Sequence, residues 1–379
     1  MHILILSRQL STRSRVPRSL QAIPQTRLLP PQVRQYACQI HYPTKLDQLR
    51  AKLRAFGQGH IELDLNHSPG LALLTLSNPS KHNALTGKMM AELADCVDFL
   101  EDAISGTHPL PHLHPDSKLV LKCASNPVDS KQLDQGHVEI LQGLVGVIVT
   151  GAENKSYCAG LDLSAAKTTL LTPQAGSEMA ALMVSTLTRF MRLPLLTIAA
   201  VEKAAIGGGA EMTTFCDHRC LADQAKVQFV QTQMGVVTGW GGASRLLNIV
   251  SNNRSLALRL LAAAEPLRGG QDALECGFAQ CIASAGKAVE RATEYMQPYV
   301  WEQPPSPLRS SSATDKSSDE KQAGARRCVP AVRAMKRIVS VGLDDERIER
   351  VTELEKDLFK QLWGGPDNLA RVEAATSKK

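Results

Sequence analysis

Two loops in this sequence combine small residues with the expected start of a helix, a pattern that can stabilise negative charge. The first loop, Cys158–Leu163, follows the apolar run Val145–Thr150. The second, Ile206–Glu211, follows the apolar run Thr197–Val201. Small residues where a strand leads into a helix expose backbone N–H groups at the helix N-terminus, where the helix dipole favours an anion. Two such N–H groups converging on one point make an oxyanion hole, so the sequence predicts a site that stabilises an oxyanion.

The residues of these loops also have structural interpretations. The triplet Gly207–Gly209 alone is typical of a flexible turn or a close packing contact, and only the pairing of the two loops makes it specific. Glu211 lies on the first helical turn after the glycines, where it could donate a proton, place a donor or simply favour the helix start. Asp162 is typical of a helix cap. These alternatives stay open from the sequence alone.

Apolar spacing predicts the elements that position the two loops. Together with the two strands before the loops, the predicted order is strand–helix–strand–helix, which favours an α/β fold with crossover connections. The other predicted elements are a sheet beginning near Ile61–Leu65, strands at Leu71–Leu76 and Lys226–Val230, and helices at Met89–Leu100, Arg254–Ala263, Val332–Val341 and Arg347–Leu362.

Two polar segments interrupt this pattern. Residues 107–136 are weakly periodic and bear His, Pro and Asp, which predicts a surface insertion in a core spanning residues 60–285. Three histidines in the insertion could be metal ligands, but the prolines among them favour a loop. Residues 303–326 are rich in Pro, Ser, Asp and Lys and predict a disordered loop within a helical tail, residues 286–379.

Charge and cysteine distribution exclude several classes of protein. The 379-residue chain has 43 basic and 37 acidic residues, a net charge of +6, but six of the bases are arginines within the acid-free segment Met1–Tyr36. The remainder is neutral, which argues against a nucleic-acid partner. The apolar runs are too short to span a membrane. Nine cysteines without zinc-ligand spacing predict reduced structural thiols and no metal site.

The amino-terminal segment resembles a mitochondrial transit peptide, because it is rich in Arg, contains Ser and lacks acids. Arg34-Gln35-Tyr36-Ala37 resembles a matrix-processing site. We therefore expect residues 1–36 to direct the protein to the mitochondrial matrix. A disordered basic tail on a cytosolic protein is the alternative.

The motifs together resemble the crotonase (enoyl-CoA hydratase/isomerase) superfamily. The resemblance rests on Asn78–Leu85, Cys158–Leu163, Gly207–Glu211 with Cys216-Asp217, and Gly235–Leu246, which follow one another in the family's order. It implies a β-β-α spiral core with a C-terminal helical oligomerisation region, and assembly into a homotrimer or hexamer. It also implies a CoA thioester substrate and no separate cofactor, since CoA is part of the substrate.

The resemblance further implies roles for individual residues. The N–H groups of Leu161 and Gly208 would hold the thioester oxygen, and Glu211 is the third catalytic candidate. Candidates in the CoA groove and acyl pocket, including a lysine that could meet a CoA phosphate or be merely solvated, are Ala84, Ala159, Asp162, Leu163, Ser164, Gln231, Trp240 and Lys336.

One of these positions argues against water addition. Hydratases of this family use two carboxylates to manage water, and Glu211 matches the first. The second should lie four residues before Gly235, where the sequence has Gln231, and a two-residue shift gives Gln233. Neither amide can act as a general acid or base. A hydratase is therefore not expected.

Two further segments, Thr186–Leu195 and Trp363–Leu369, resemble a decarboxylase branch of the superfamily that acts on ethylmalonyl-CoA and methylmalonyl-CoA. Lys203 and Thr238 depart from the family's usual glycine and proline, which leaves the exact loop paths open. Loss of CO₂ from such a thioester leaves an enolate, and each N–H donor would stabilise it by about 2.7–4 kcal/mol. Trp240 could wall the acyl pocket or simply pack in the core.

We therefore expect a decarboxylase with a metabolite-proofreading role in fatty acid metabolism. One alternative is another crotonase-type enzyme, such as an enoyl-CoA isomerase or hydratase or an acyl-CoA hydrolase. The other is a non-catalytic homologue that binds RNA or scaffolds a complex. The neutral body of the chain argues against RNA, and the paired loops argue against an inactive protein.

Fusion of Met1–Cys38 to a fluorescent reporter tests the targeting prediction. We expect import into mitochondria and cleavage near Tyr36, because an acid-free Arg-rich segment is typical of a transit peptide. Microscopy and amino-terminal sequencing of the imported reporter measure both. A full-length reporter that stays in the cytosol with its amino terminus intact would contradict the prediction.

Overall fold

A large, mainly parallel sheet forms the centre of the structure. The computed structural model describes residues 43–105, 117, 119–123, 125–128, 133–163, 173–234, 236–302 and 325–341. The described strands are β1 (His60–Ser68), β2 (Leu71–Ser77), β3 (Val120–Cys123), β4 (Asn126–Val128), β5 (Gly146–Gly151), β6 (Leu196–Val201), β7 (Ala204–Ile206), β8 (His218–Ala222), β9 (Lys226–Gln228), β10 (Leu267–Arg268) and β11 (Cys281–Ala283).

Helices occupy most of the described connections between these strands. The α-helices are α1 (Pro43–Leu53), α2 (Gly87–Ser105), α3 (Gln135–Gln142), α4 (Pro173–Arg192), α5 (Gly208–Thr213), α6 (Gly242–Ile249), α7 (Arg254–Leu261), α8 (Gly269–Glu275), α9 (Ala288–Val300) and α10 (Val329–Val341), with 3-10 turns at Pro79–Lys81, Ala152–Asn154 and Gln231–Met234. No described helix is both long and apolar enough to cross a membrane.

The strands form two sheets. Eight of them follow the order β11-β8-β6-β5-β2-β1-β3-β4, and β10-β9-β7 form a small second sheet. The run β2, β5, β6, β8, β11 is parallel throughout, and the hairpin β1–β2 is antiparallel. Most of the elements predicted from apolar spacing are confirmed within a few residues, and Arg347–Leu362 lies outside the described residues. The α/β fold class is confirmed.

Side chains of the central strands alternate between two apolar layers. Val147 and Val149 of β5 belong to a core cluster with α2 and α4, whereas Ile148 between them packs with α9. A strand with helices on both faces must be apolar at every position, which explains the continuous run Val145–Thr150. Each fully buried Val or Ile contributes about 1.5–3 kcal/mol.

The segment predicted as a surface insertion contains regular structure. Its described part supplies β3, which pairs in parallel with β1, and β4, which closes this edge of the sheet. The prediction missed these strands because each has only three or four residues and one contains Pro127. The three histidines of the insertion lie outside the described residues.

An ion pair ties α10 to the sheet. The Nζ atom of Lys336 contacts Oδ1 of Asp217, and the lysine side chain is only 3% exposed. The other carboxylate oxygen of Asp217 accepts hydrogen bonds from Thr197 N (2.8 Å) and Thr197 Oγ1 (2.9 Å) at the start of β6. Asp217 therefore links β6 with α10, and this accounts for one residue of the motif Cys216-Asp217.

Replacing Asp217 with Asn should destabilise the fold, because the ammonium group of Lys336 would stay buried without a counter-charge. We expect a loss of about 3 kcal/mol, at the low end for buried pairs because Asp217 keeps some solvent contact. Urea denaturation measures it. The double variant Asp217→Asn/Lys336→Met removes both charges and should be more stable than Asp217→Asn alone. Additive effects in this cycle would contradict the coupling.

Candidate active site

The two loops singled out in the sequence lie side by side. Cys158 runs parallel to β7, where its N–H donates to Ala204 O (3.1 Å) and its carbonyl accepts from Ile206 N (2.9 Å). The loop after β5 is therefore held against the strand that leads into α5. The start of α5 and the segment after Cys158 are brought to one place.

Glycines allow this close approach. Gly160 has a φ of +92°, and a Cβ there would lie 2.8 Å from Ile206 O and 3.2 Å from Gly208 N. A Cβ on Gly209 would lie 2.1 Å from Cys158 O. A side chain at either position would push the loops apart. The small residues of both motifs are thus required by the contact between the two backbones.

Two N–H groups at this contact are left out of the local hydrogen bonding. Leu85 N donates to Gly160 O (2.7 Å) and Asp162 N donates to Leu85 O (2.9 Å), a register that skips the N–H of Leu161. Gly208 is the first residue of α5, so its N–H has no acceptor within the helix. Within the described part of the chain, neither N–H has an assigned acceptor. Two N–H groups without an acceptor are what the predicted oxyanion hole requires, and that role stays a prediction.

Glu211 is buried one turn into α5, 2% exposed, and its carboxylate is surrounded by N–H donors. Oε1 accepts from Gln231 Nε2 (2.8 Å) and Gly239 N (3.3 Å), and Oε2 accepts from Trp240 N (2.9 Å) and Gly242 N (2.9 Å). Burial raises the pKa of Glu211 above its ordinary value, and the four hydrogen bonds oppose that rise. All four donors fit an ionised carboxylate, because a proton on either oxygen would face an N–H group.

Arg245 supplies positive charge near this carboxylate. Its Nη1 donates to Gly241 O (2.6 Å), and its guanidinium lies 3.5 Å from the centroid of the Phe215 ring. Burial lowers the pKa of Arg245 to about 10, and the negative charge of Glu211 opposes that fall. The two charges therefore stabilise each other across the start of α6.

The Trp240 ring lies against the backbone of Gly208. A Cβ at residue 208 would come within 2.3 Å of Trp240 Cζ3, and the tryptophan is itself buried. Only glycine can occupy position 208 without displacing the ring. The backbone N–H of Trp240 is held by Glu211, so the ring, the glycine and the carboxylate form one connected unit.

Comparison with known proteins identifies the family. Residues 139–328 match the enoyl-CoA hydratase/isomerase family. The ethylmalonyl-CoA decarboxylase of Danio rerio is 33% identical over 334 residues, which is 87% of each chain. That of Homo sapiens is 31% identical over 329 residues, 86% of this chain and 84% of the relative. The chain belongs to the enoyl-CoA hydratase/isomerase family. The predicted resemblance to its ethylmalonyl-CoA decarboxylase branch is confirmed.

Solved structures of this family share the fold. The enoyl-CoA hydratase of Bacillus anthracis aligns with a TM-score of 0.59 at 20% identity, over 84% of this chain and 96% of that one. An enoyl-CoA hydratase from Polaromonas sp. JS666 aligns with a TM-score of 0.59 at 19% identity, over 85% and 98%. At such identities the likeness concerns the fold alone, and it confirms the predicted crotonase-like architecture.

The two segments that are predicted to line the CoA groove lie next to each other. Ala159 N donates to His82 O (3.1 Å), which places the loop before α2 beside the loop after β5. Ala84 and Asp162 are buried at this contact, and Leu163 is about half exposed. Ser164 lies outside the described residues. The roles of these residues in binding stay predictions.

Two asparagines join these two segments, and neither was a candidate from the sequence. Asn78 Nδ2 donates to Ala84 O (2.9 Å), and Asn83 Oδ1 accepts from Asn78 N (3.0 Å). Asn83 Nδ2 donates to Ser156 O (2.7 Å) and Ala152 O (3.0 Å) on the other loop. Both asparagines belong to the motif Asn78–Leu85. Asparagine beside a turn is the sequence signal that could have identified them, because a buried amide there needs hydrogen-bond partners.

Lys336 has a different environment from the one expected of a phosphate ligand. Its ammonium group is paired with Asp217 and buried, so a contact with a CoA phosphate would need this pair to open. The phosphate role stays a prediction. Among the described residues there is no group of His, Cys, Asp and Glu suited to a metal, and no disulfide joins any of the eight described cysteines.

The N–H of Gly208 can be tested by two matched substitutions. Gly208→Pro removes the N–H at the first helical position, where proline is tolerated, and Gly208→Ala keeps it. Both add a Cβ against Trp240, so the crowding is common to the two. We expect turnover of the CoA thioester by the Pro variant to be about 10²–10³-fold below that of the Ala variant. Equal turnover in folded variants would contradict the predicted oxyanion hole.

Proposed function

We propose that this acyl-CoA enzyme is a decarboxylase that removes CO₂ from ethylmalonyl-CoA, and from methylmalonyl-CoA, through a thioester enolate. The main support for this proposal is the pair Glu211–Gln231, in which an amide stands where a hydratase needs its second carboxylate. The names of the relatives from Danio rerio and Homo sapiens support the same reaction.

The pair limits the chemistry that the site can perform. Addition of water to an enoyl thioester needs one group to take a proton from water and another to give one to carbon. Gln231 can do neither, and its Nε2 is committed to Glu211 at 2.8 Å. Decarboxylation begins without a base, because the substrate already carries its negative charge.

In the proposed reaction the bond between Cα and the carboxylate carbon breaks and CO₂ leaves. The electron pair of that bond forms the enolate, so the negative charge moves to the thioester oxygen. The N–H groups of Leu161 and Gly208 meet this oxygen and stabilise the charge as it grows, each by about 2.7–4 kcal/mol. A proton from water then adds to Cα and gives butyryl-CoA or propionyl-CoA.

Trp240 supports this direction of charge movement. Its ring lies against Gly208. In the proposed reaction it would present apolar surface beside the oxyanion position. An apolar wall disfavours a carboxylate and does not oppose departure of neutral CO₂. For the best orbital overlap the leaving carboxylate stands perpendicular to the thioester plane, and a rigid aromatic wall can hold it in that orientation.

The proposal extends to the setting of the enzyme. CoA is part of the substrate, so we expect no separate cofactor. Members of the family act on CoA thioesters and are commonly oligomeric, and we propose a homotrimer or hexamer for this chain. We place it in the mitochondrial matrix, on the strength of the acid-free arginine-rich segment Met1–Tyr36. There it would remove malonyl-type side products of fatty acid metabolism.

Incubation of the purified protein with ethylmalonyl-CoA, methylmalonyl-CoA, malonyl-CoA and crotonyl-CoA tests the reaction. We expect CO₂ release from the first two and little or no hydration of crotonyl-CoA, because no second carboxylate is present. Mass spectrometry of the CoA esters measures each product. Efficient hydration of crotonyl-CoA without CO₂ release would support an enoyl-CoA hydratase, and free CoA alone would support a hydrolase. No turnover of any ester would support a non-catalytic homologue.

A further inference from the structure

We propose that Glu211 is a positioning residue whose ionised carboxylate holds Trp240 against Gly208, and that it does not donate the proton to the enolate. The catalytic consequence rests on the proposed decarboxylase function. The contact itself does not, and it can be measured without any substrate.

The carboxylate has no acceptor position left for a reacting group. An ionised carboxyl group offers about four lone-pair positions in the plane of its oxygens. In Glu211 these are matched by four N–H donors at 2.8–3.3 Å, two on each oxygen. To carry a proton towards substrate, the group would first have to release one of these donors. Three of the four are backbone amides, which cannot rotate away without moving the chain.

The segment around Trp240 is shaped to surround this anion. Gly241 has a φ of +85°, and a Cβ on Gly242 would lie 2.6 Å from Glu211 Cγ. Gly242 is also the first residue of α6, where the helix dipole favours a negative charge. Successive N–H groups of such a turn form a concave site for an anion. Here the anion is a side chain of the same protein.

Through this arrangement, the position of Glu211 determines how tightly Trp240 packs against Gly208. Oε2 holds the N–H of Trp240, and the Trp240 ring lies against Gly208. Gly208 and Glu211 belong to the same helical turn, so the contact closes a ring through α5 and the loop before α6. If the loop moves, the ring moves, and the N–H of Gly208 loses the support of a packed neighbour.

Gln231 contributes one donor to the pair and has one further polar atom, its amide oxygen. Its Nε2 donates to Glu211, and this fixes the amide so that Oε1 points away from the carboxylate. Among the described residues, Oε1 is buried and has no hydrogen-bond partner. An amide oxygen accepts a hydrogen bond but supplies no proton. Neither polar atom of Gln231 can therefore replace the missing acid.

The test uses tryptophan emission together with turnover. In the full chain with Trp301→Phe and Trp363→Phe, Trp240 is the single tryptophan. Glu211→Gln keeps the size but places an NH₂ group against backbone N–H donors, and Glu211→Asp keeps the charge but withdraws it by one methylene. In both variants we expect red-shifted emission and greater acrylamide quenching. We also expect kcat for ethylmalonyl-CoA to fall about a hundredfold, as for a misplacement of about 1 Å.

Glu202→Gln is the matched control. Glu202 is also buried, and its carboxylate accepts from the backbone N–H groups of Gly286 and Ala288, neither of which belongs to the candidate site. Its replacement removes a charge from a comparable environment. We expect a lower thermal midpoint, because a buried hydrogen-bonded charge is lost, with unchanged Trp240 emission and a kcat close to that of the parent.

The outcomes separate the possible roles of Glu211. A proton donor would lose turnover in Glu211→Gln with Trp240 emission unchanged, and would change the pH profile of kcat; this result would overturn the proposal. Loss of turnover in both variants with altered emission and an unchanged pH profile of the residual activity would support it. If the parent protein released no CO₂ but the emission still changed, the decarboxylase function would fail while the positioning contact stood.

Discussion

The buried carboxylate of Glu211 is the constraint on which the geometry of the candidate site depends. Removing a carboxylate from water costs several kcal/mol even after the protein relaxes around it. Four N–H donors offset part of this cost, although burial still raises the pKa of Glu211. These donors come from the 3-10 turn, the following loop and the start of α6. Each of these segments therefore has to converge on one residue of α5. The Trp240 ring and the Gln231 amide are positioned as a result, because both residues donate a hydrogen bond to Glu211.

A second constraint, close contact between backbones, fixes the other half of the site. Gly209 must lack a side chain because a Cβ there would lie 2.1 Å from Cys158 O. A Cβ on Gly151 would likewise lie 2.0 Å from Ser156 O. Such contacts leave only one arrangement of the loops and therefore one arrangement of their N–H groups. Asn83 reinforces it by joining the loop before α2 to the loop after β5 through side-chain hydrogen bonds. Steric contacts between the backbones therefore preorganise the site as much as hydrogen bonds do.

Most of the fold could be predicted from the sequence, because its strands are buried on both faces and read as continuous apolar runs. The paired loops could be predicted as well, since small residues after two such runs are a local pattern. The partners of Glu211 could not, because Gly239 and Gly242 contribute through backbone N–H groups that carry no side-chain signal. The Asp217–Lys336 pair was equally invisible, since it joins residues 119 apart in the chain. The strands β3 and β4 could not be predicted either, because they are too short to show a periodic pattern.

The amide at position 231 also fits the charge of the proposed substrate. A neutral enoyl thioester tolerates two carboxylates in its site, whereas a malonyl-type thioester brings a carboxylate of its own. Two like charges 4 Å apart repel each other by about 4 kcal/mol at the effective dielectric constant of a partly exposed site. Gln231 avoids that repulsion. The charge of Glu211 is retained but is taken up by N–H donors and by Arg245, so it acts on the fold of the loop instead. In the proposed reaction, the two N–H groups of Leu161 and Gly208 beside an apolar wall would favour movement of the substrate's charge from its carboxylate to its thioester oxygen, which is the direction of decarboxylation.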